Sequence, residues 1–231
     1  MNDINNNLNY KERNIRFIIG IIIIILLIIG GTYAYMTLAA NVTNGSYVAG
    51  TTCFVIDYDI TNDDGSSPIA GTMFPSSSAG GGLSGKVSLK INNNCNVNGV
   101  GTLYLNVTSA DSTLIKNVSN HCENSQTLQT MGDYTTSSTC TAQSNGKWVT
   151  SGSALKYAVY NTNSVTSSTV PLSVGYVNKT GSIKIYDNFS ITKNLSTYYV
   201  YIWLDGNLSD NSYANLPFVG NVSASATQTE N

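Results

Sequence analysis

The chain has 231 residues and a formal net charge of −2. Only 10% of its side chains are charged, against roughly 25% in an average soluble domain. No basic patch exists to displace counterions, which argues against a nucleic-acid partner, and the charge is too low for a highly charged disordered tail.

Phe17 to Ala40 is the first element. Its core reads FIIGIIIIILLIIGG, and no residue from Phe17 to Val55 is charged. A helix of that length and apolarity crosses a bilayer. Lys11, Arg13 and Arg16 precede it, so the positive-inside rule keeps residues 1–16 in the cytoplasm and sends residues 41–231 outside. Residues 17–40 admit two readings. One is an uncleaved transmembrane helix, which the long isoleucine run from Ile18 to Ile29 favours. The other is a removable signal peptide, with small residues suited to signal peptidase in Thr32-Tyr33-Ala34 or Leu38-Ala39-Ala40. Ala34 is the candidate cleavage site. The domain is then either held at the cell membrane by its N-terminal helix or secreted to the cell surface.

The exported part, 41–231, is rich in Val, Ile, Tyr, Thr and Phe runs punctuated by Gly, Asn, Ser and Pro, the signature of antiparallel strands and turns. The predicted strands are Thr51 to Ile60, Lys86 to Ile91, Thr102 to Val107, Leu155 to Tyr160, Ser182 to Ile191, Tyr198 to Leu204 and Phe218 to Ala226. Their period-two alternation aligns Phe54, Ile56 and Tyr58, then Val87, Leu89 and Ile91, then Leu103, Leu105 and Val107. About seven or eight strands with no amphipathic helix predict an all-β fold, an Ig-like antiparallel β-sandwich, with a closed barrel as the alternative. Two segments read as loops. Asn62 to Gly85 is Gly/Ser/Pro-rich, with Ile69, Met73 and Phe74 able to pack. Ser109 to Ser153 is a long polar insertion, and a loop of that length in a compact domain is functional or pinned.

All four cysteines, Cys53, Cys95, Cys122 and Cys140, lie on the exported side. An even count in an oxidising compartment favours two disulfides, in any of three pairings. Cys53–Cys95 would join two predicted strands, and Cys122–Cys140 would close a short loop in the polar insertion. This pairing is the favoured one.

The chemical inventory is thin. His121 is the single histidine. It cannot make a His-rich zinc site, HExxH is absent, and an exposed loop histidine is expected. No serine sits in a G-x-S-x-G context. Asp111 and Glu123 are carboxylates without a motif. Asp57, Asp59, Asp63 and Asp64, in DYDITNDDG, are a weak calcium cluster whose spacing does not fit an EF-hand loop. A strand end running into a solvated turn is the favoured reading of them. Tyr198, Tyr199, Tyr201 and Trp203 read as core and cross-strand pairs before they read as a carbohydrate surface. No catalytic residue, cofactor or metal site is expected, and the chain reads as a non-enzyme.

One resemblance extends this reading. Gly30-Gly31-Thr32-Tyr33-Ala34-Tyr35 is followed by a strand that reads YVAGTTCFVIDY, and the last predicted strand ends Val222-Ser223-Ala224-Ser225-Ala226-Thr227-Gln228. The segment from Gly85 to Val107 contains Asn92 to Asn94. These stretches resemble the TasA/camelysin family of bacterial surface and biofilm-matrix proteins. The chain departs from that pattern in its four cysteines, its Asn/Ser-rich middle and Thr52-Cys53-Phe54. The resemblance implies a jelly-roll β-sandwich, export, processing by a dedicated signal peptidase, and self-association into extracellular fibres by strand addition. Met36 to Ala49 would be the donor strand. The leading expectation is thus an exported structural protein of the cell surface or extracellular matrix. The alternative is a membrane-anchored binding module or adhesin.

Overall fold

The computed structural model describes the backbone of Ser46–Val48 and, with side chains, residues 53–58 and 65–229. Residues 1–40, with the predicted transmembrane or signal helix and Ala34, lie outside the described residues. So do Asp59, Asp63 and Asp64. Among the described residues no helix is long and apolar enough to cross a membrane.

In chain order the strands are β1 (Ser46–Val48), β2 (Phe54–Tyr58), β3 (Ser67–Thr72), β4 (Pro75–Ser76), β5 (Leu83–Ile91), β6 (Asn98–Ala110), β7 (Asn117–Val118), β8 (His121–Asn124), β9 (Gly146–Val149), β10 (Gly152–Ser153), β11 (Leu155–Tyr160), β12 (Ser173–Tyr176), β13 (Gly181–Ile191), β14 (Ser196–Asp205) and β15 (Pro217–Thr229). A short helix, α1 (Ser137–Thr141), precedes β9. One seven-stranded sheet runs β1-β2-β5-β14-β11-β12, with β4 added parallel to β14. A four-stranded sheet runs β13-β6-β15-β3. All other pairings in these sheets are antiparallel.

The core between the two sheets follows from alternation. Val87, Leu89 and Ile91 of β5, and Val200, Ile202 and Leu204 of β14, point inward from the larger sheet. Leu103, Leu105 and Val107 of β6, and Val222 of β15, meet them from the smaller one. Burying one such side chain contributes about 1.5–3 kcal/mol. The all-β sandwich expected from the sequence is therefore observed, and each predicted strand appears, most of them longer than read. Cys53–Cys95 and Cys122–Cys140 are both formed, in the favoured pairing.

The two predicted loops are more structured than expected. Asn62 to Gly85 contains β3 and β4. Pro68 and Gly71 disguise β3, which tolerates them because among the described residues it is an edge strand bonded only to β15. Ile69 and Met73 are core, but Phe74 is 59% exposed and does not pack. The polar insertion folds into two short antiparallel pairs, β7 with β10 and β8 with β9, plus α1. The Cys122–Cys140 disulfide ties β8 to α1. Gly146, at the start of β9, lies so close to the Cys140 carbonyl that a Cβ there would collide with it.

The larger sheet is buried on both faces at β11 and β14. Leu155, Tyr157 and Val159 face the main core, while Ala158 and Tyr160 join Tyr201 and Trp203 in a second apolar cluster on the outer face. Tyr198 lies in the main core, so the tyrosine-rich strand is chiefly core, as expected.

Candidate functional site

Every residue of β11 is buried, including Lys156 at its second position. Lys156 alternates with Leu155 and Tyr157 and therefore points to the outer face. Register places it directly opposite Trp203 on β14 and Tyr176 on β12. Asp205 follows Trp203 by two residues, so it lies on the same face and diagonal to Lys156. Its backbone N–H donates to the Ala154 carbonyl at 2.9 Å. Diagonal neighbours are about 7–8 Å apart at the backbone, within reach of a long side chain.

The polar insertion closes over this face. On β8, His121 and Glu123 are two residues apart and share one side of the strand. Both Lys156 and Glu123 are 0% exposed. Lys156 Nζ lies 2.6 Å from Glu123 Oε1 and 2.7 Å from Asp205 Oδ2, and donates to the Leu128 carbonyl at 2.5 Å. Three acceptors thus surround one ammonium. Glu123 Oε1 also meets His121 Nε2 at 2.8 Å, and Oε2 accepts from the Tyr176 hydroxyl at 2.5 Å. Asp205 Oδ2 accepts from Thr130 Oγ1 at 2.8 Å and from the Thr130 N–H at 3.2 Å, while Oδ1 accepts from the Asn207 N–H at 3.0 Å.

The backbone of the covering loop is shaped for this. Leu128 adopts a left-handed conformation with φ of 53°, a region that side chains with a Cβ rarely occupy. Its carbonyl contacts Lys156 while Thr130, two residues on, binds Asp205. Left-handed backbone at a non-glycine persists where surrounding contacts over-determine it. Here the buried amine and carboxylate supply them.

Burial pushes the Glu123 carboxyl upward. The hydrogen bond from His121, the charge of Lys156, and hydrogen bonds from Lys156 and Tyr176 outweigh burial and hold it below the usual range. Burial raises the Tyr176 phenol, and its hydrogen bond to the Glu123 carboxylate and that carboxylate's charge raise it further. Tyr176 is therefore a fixed donor. His121 Nδ1 is buried without a hydrogen-bond partner among the described residues. The tautomer that leaves no unpaired N–H there carries its proton on Nε2 and donates it to Glu123. The Lys156 amine thus faces two buried carboxyl groups, with the His121 imidazole on the far side of one of them. Such a set is costly unless its geometry is tight and every polar atom is satisfied.

Of the residues singled out in the sequence, His121 is the clearest correction. It is 9% exposed and bonded to Glu123, because the strand β8 buries it under the insertion. Asp111 accepts the Thr113 N–H at 2.8 Å in a local turn. Asp57 is exposed on β2. Among the described residues no group of three or more His, Cys, Asp or Glu side chains is arranged to hold a metal ion. Lys156 and Asp205 were not among the sequence candidates. The available signal was a lysine inside LKYAVY and an aspartate closing YIWLD, charges embedded in strand segments in which every residue is buried.

Elsewhere, an open groove of about 650 Å³ is lined by residues that include Leu172, Tyr186, Leu195, Tyr198 and Tyr199. No family model, no curated protein and no solved structure matches this chain. The reading of function therefore rests on the residues themselves.

Proposed function

We propose that the chain is an exported structural protein of the cell surface, a matrix-fibre subunit that assembles by strand exchange. One observation carries the reading. Ser46–Val48, which follows the apolar segment in sequence, forms a three-residue strand that among the described residues pairs only with β2. Tyr47 sits opposite Ile56, and Val48 opposite Val55. A short edge strand is easily displaced, and an equivalent strand from a neighbouring copy makes the same main-chain bonds. Met36 to Ala49 would then be the donor segment, released when cleavage near Ala34 frees it. Two disulfides and low charge suit an extracellular scaffold. The resemblance to the TasA/camelysin stretches, with its jelly-roll sandwich, points the same way.

Mass spectrometry of the exported form, combined with light scattering, tests this reading. The expected result is a mature N-terminus near Met36 and concentration-dependent oligomers that disappear when residues up to 49 are removed. A monomer still carrying Ile18 to Ile29 contradicts it.

That second outcome belongs to the other reading, a membrane-anchored binding module. The open groove favours it, because the half-buried Tyr186 and Tyr199 in its lining are of the type that carbohydrate or protein contacts use. No reaction on an outside substrate is proposed. The cluster at Lys156 is sealed from any outside substrate.

A further inference from the structure

We infer that Lys156 and Asp205 are joined in the mature protein by an isopeptide bond, formed within the fold with Glu123 as the catalytic residue. The inference does not depend on how the chain is anchored or assembled.

Three observations carry it. The first is proximity in a sealed site. Lys156 Nζ and Asp205 Oδ2 are 2.7 Å apart, and Lys156 is 0% exposed. Fixing an amine and a carboxyl at contact distance corresponds to effective molarities on the order of 10⁵–10⁸ M. Condensation is unfavourable in water at ordinary concentrations, and this geometry reverses the balance. Exclusion of bulk water then protects the amide from hydrolysis.

The second is the division of labour between the two carboxylates. Both oxygens of Asp205 are held by donors that do not titrate: Thr130 N–H and Oγ1 on Oδ2, and Asn207 N–H on Oδ1. These donors polarise the Asp205 Cγ and stabilise the oxyanion that forms on attack. Glu123 instead touches the amine and two further proton-bearing side chains, His121 and Tyr176. It is placed to carry a proton rather than to be attacked. Its carboxyl is held ionised, as a base requires.

The third is charge. The unreacted set buries an ammonium and two carboxylates. The amide leaves one carboxylate, with His121 and Tyr176 still donating to it. Desolvating each buried ion is expensive, so removing two of them favours the product.

The step balances. Glu123 takes one proton from the Lys156 ammonium, which frees the Nζ lone pair. Nζ attacks Asp205 Cγ and forms the C–N bond. One C–O bond of Asp205 breaks, and its oxygen leaves as water with two of the three ammonium protons, one of them returned by Glu123. Nζ keeps the third proton. Nothing is oxidised or reduced, and Glu123 ends as it began.

The test is peptide mapping of the exported, folded chain after reduction and tryptic digestion. The bond blocks cleavage at Lys156 and joins residues 148–179 to residues 194–231, since no Lys or Arg follows Lys193. Lys156→Arg abolishes the branched peptide. Glu123→Gln lowers its yield at least ten-fold. Asp205→Asn gives a branched peptide of unchanged mass, because ammonia leaves in place of water and the product amide is the same. A wild-type chain that is protease-resistant when native but cleaved normally at Lys156 when denatured overturns the inference. So does a branched peptide joining 148–179 to 117–147, which would place the bond at Glu123. The wild-type digest decides the matter even if a variant fails to fold.

Discussion

Lys156 and Asp205 sit on neighbouring antiparallel strands, two positions out of register, with Nζ and Oδ2 2.7 Å apart beneath a disulfide-tied insertion. That diagonal joins two interior strands of the larger sheet, β11 and β14, on the face turned away from the main core. The polar insertion exists, structurally, as the cover for this pair.

Removing Lys156, and with it any bond to Asp205, should be severe. Lys156→Met leaves Glu123 and Asp205 buried without their shared partner. Breaking a buried ion pair in this way costs about 3–5 kcal/mol. Lys156→Met combined with Glu123→Gln and Asp205→Asn removes the unpaired charges and recovers much of that loss. Urea unfolding of the two variants measures the difference.

The acid limb of stability should depend on Glu123. Its carboxyl is held below the ordinary value in the folded state, so the folded protein binds fewer protons than the unfolded one. That contribution is fully present above the ordinary carboxylate range and is lost as pH falls through the folded value. Glu123→Gln should therefore flatten Tm against pH on the acid side. Tyr176 works in the opposite sense. Its phenol is raised, so its contribution is present below the ordinary tyrosine value and is lost as pH rises past it. Tyr176→Phe should remove part of the alkaline fall.

The Cys122–Cys140 disulfide closes a loop with a sequence separation of 18. Replacing both cysteines by serine should cost about 3 kcal/mol. Hydrogen exchange should accelerate first at His121–Asn124 and Gly146–Val149, with Leu103–Val107 still protected. Uniform loss of protection would mean that the insertion and the sandwich unfold as one unit.

Two apolar side chains that look alike in sequence should behave differently. Leu105 is fully buried in the middle of β6, and Leu105→Ala should cost about 2–5 kcal/mol. Phe74 is largely exposed, and Phe74→Ser should stay within about 0.5 kcal/mol of wild type. Thermal unfolding of both variants checks the contrast.

The sandwich was legible because its strands alternate. Val87, Leu89 and Ile91, or Leu103, Leu105 and Val107, carry a period that has one structural meaning. The strand β3 was hidden because Pro68 and Gly71 are edge-strand residues that also mark loops. The buried cluster was hidden for a deeper reason. Nothing local to HCEN tells that β8 will lie over β11, so His121 read as an exposed loop residue and Glu123 as an isolated carboxylate. Lys156 and Asp205 lie 49 positions apart and meet only through the β11–β14 register. What the chain did display was a lysine in a six-residue run with every position buried, and a charge in such a place needs a partner.

The intact mass of the exported chain, reduced and denatured, tests the central claim most directly, with its N-terminus fixed from the same digest and Glu123→Gln measured beside it. The wild-type chain should be lighter by one water than the mass of the linear chain its sequence specifies, and the variant should show the full linear mass of its own sequence. Both chains at full mass would show that Lys156 and Asp205 form an ion pair and no bond.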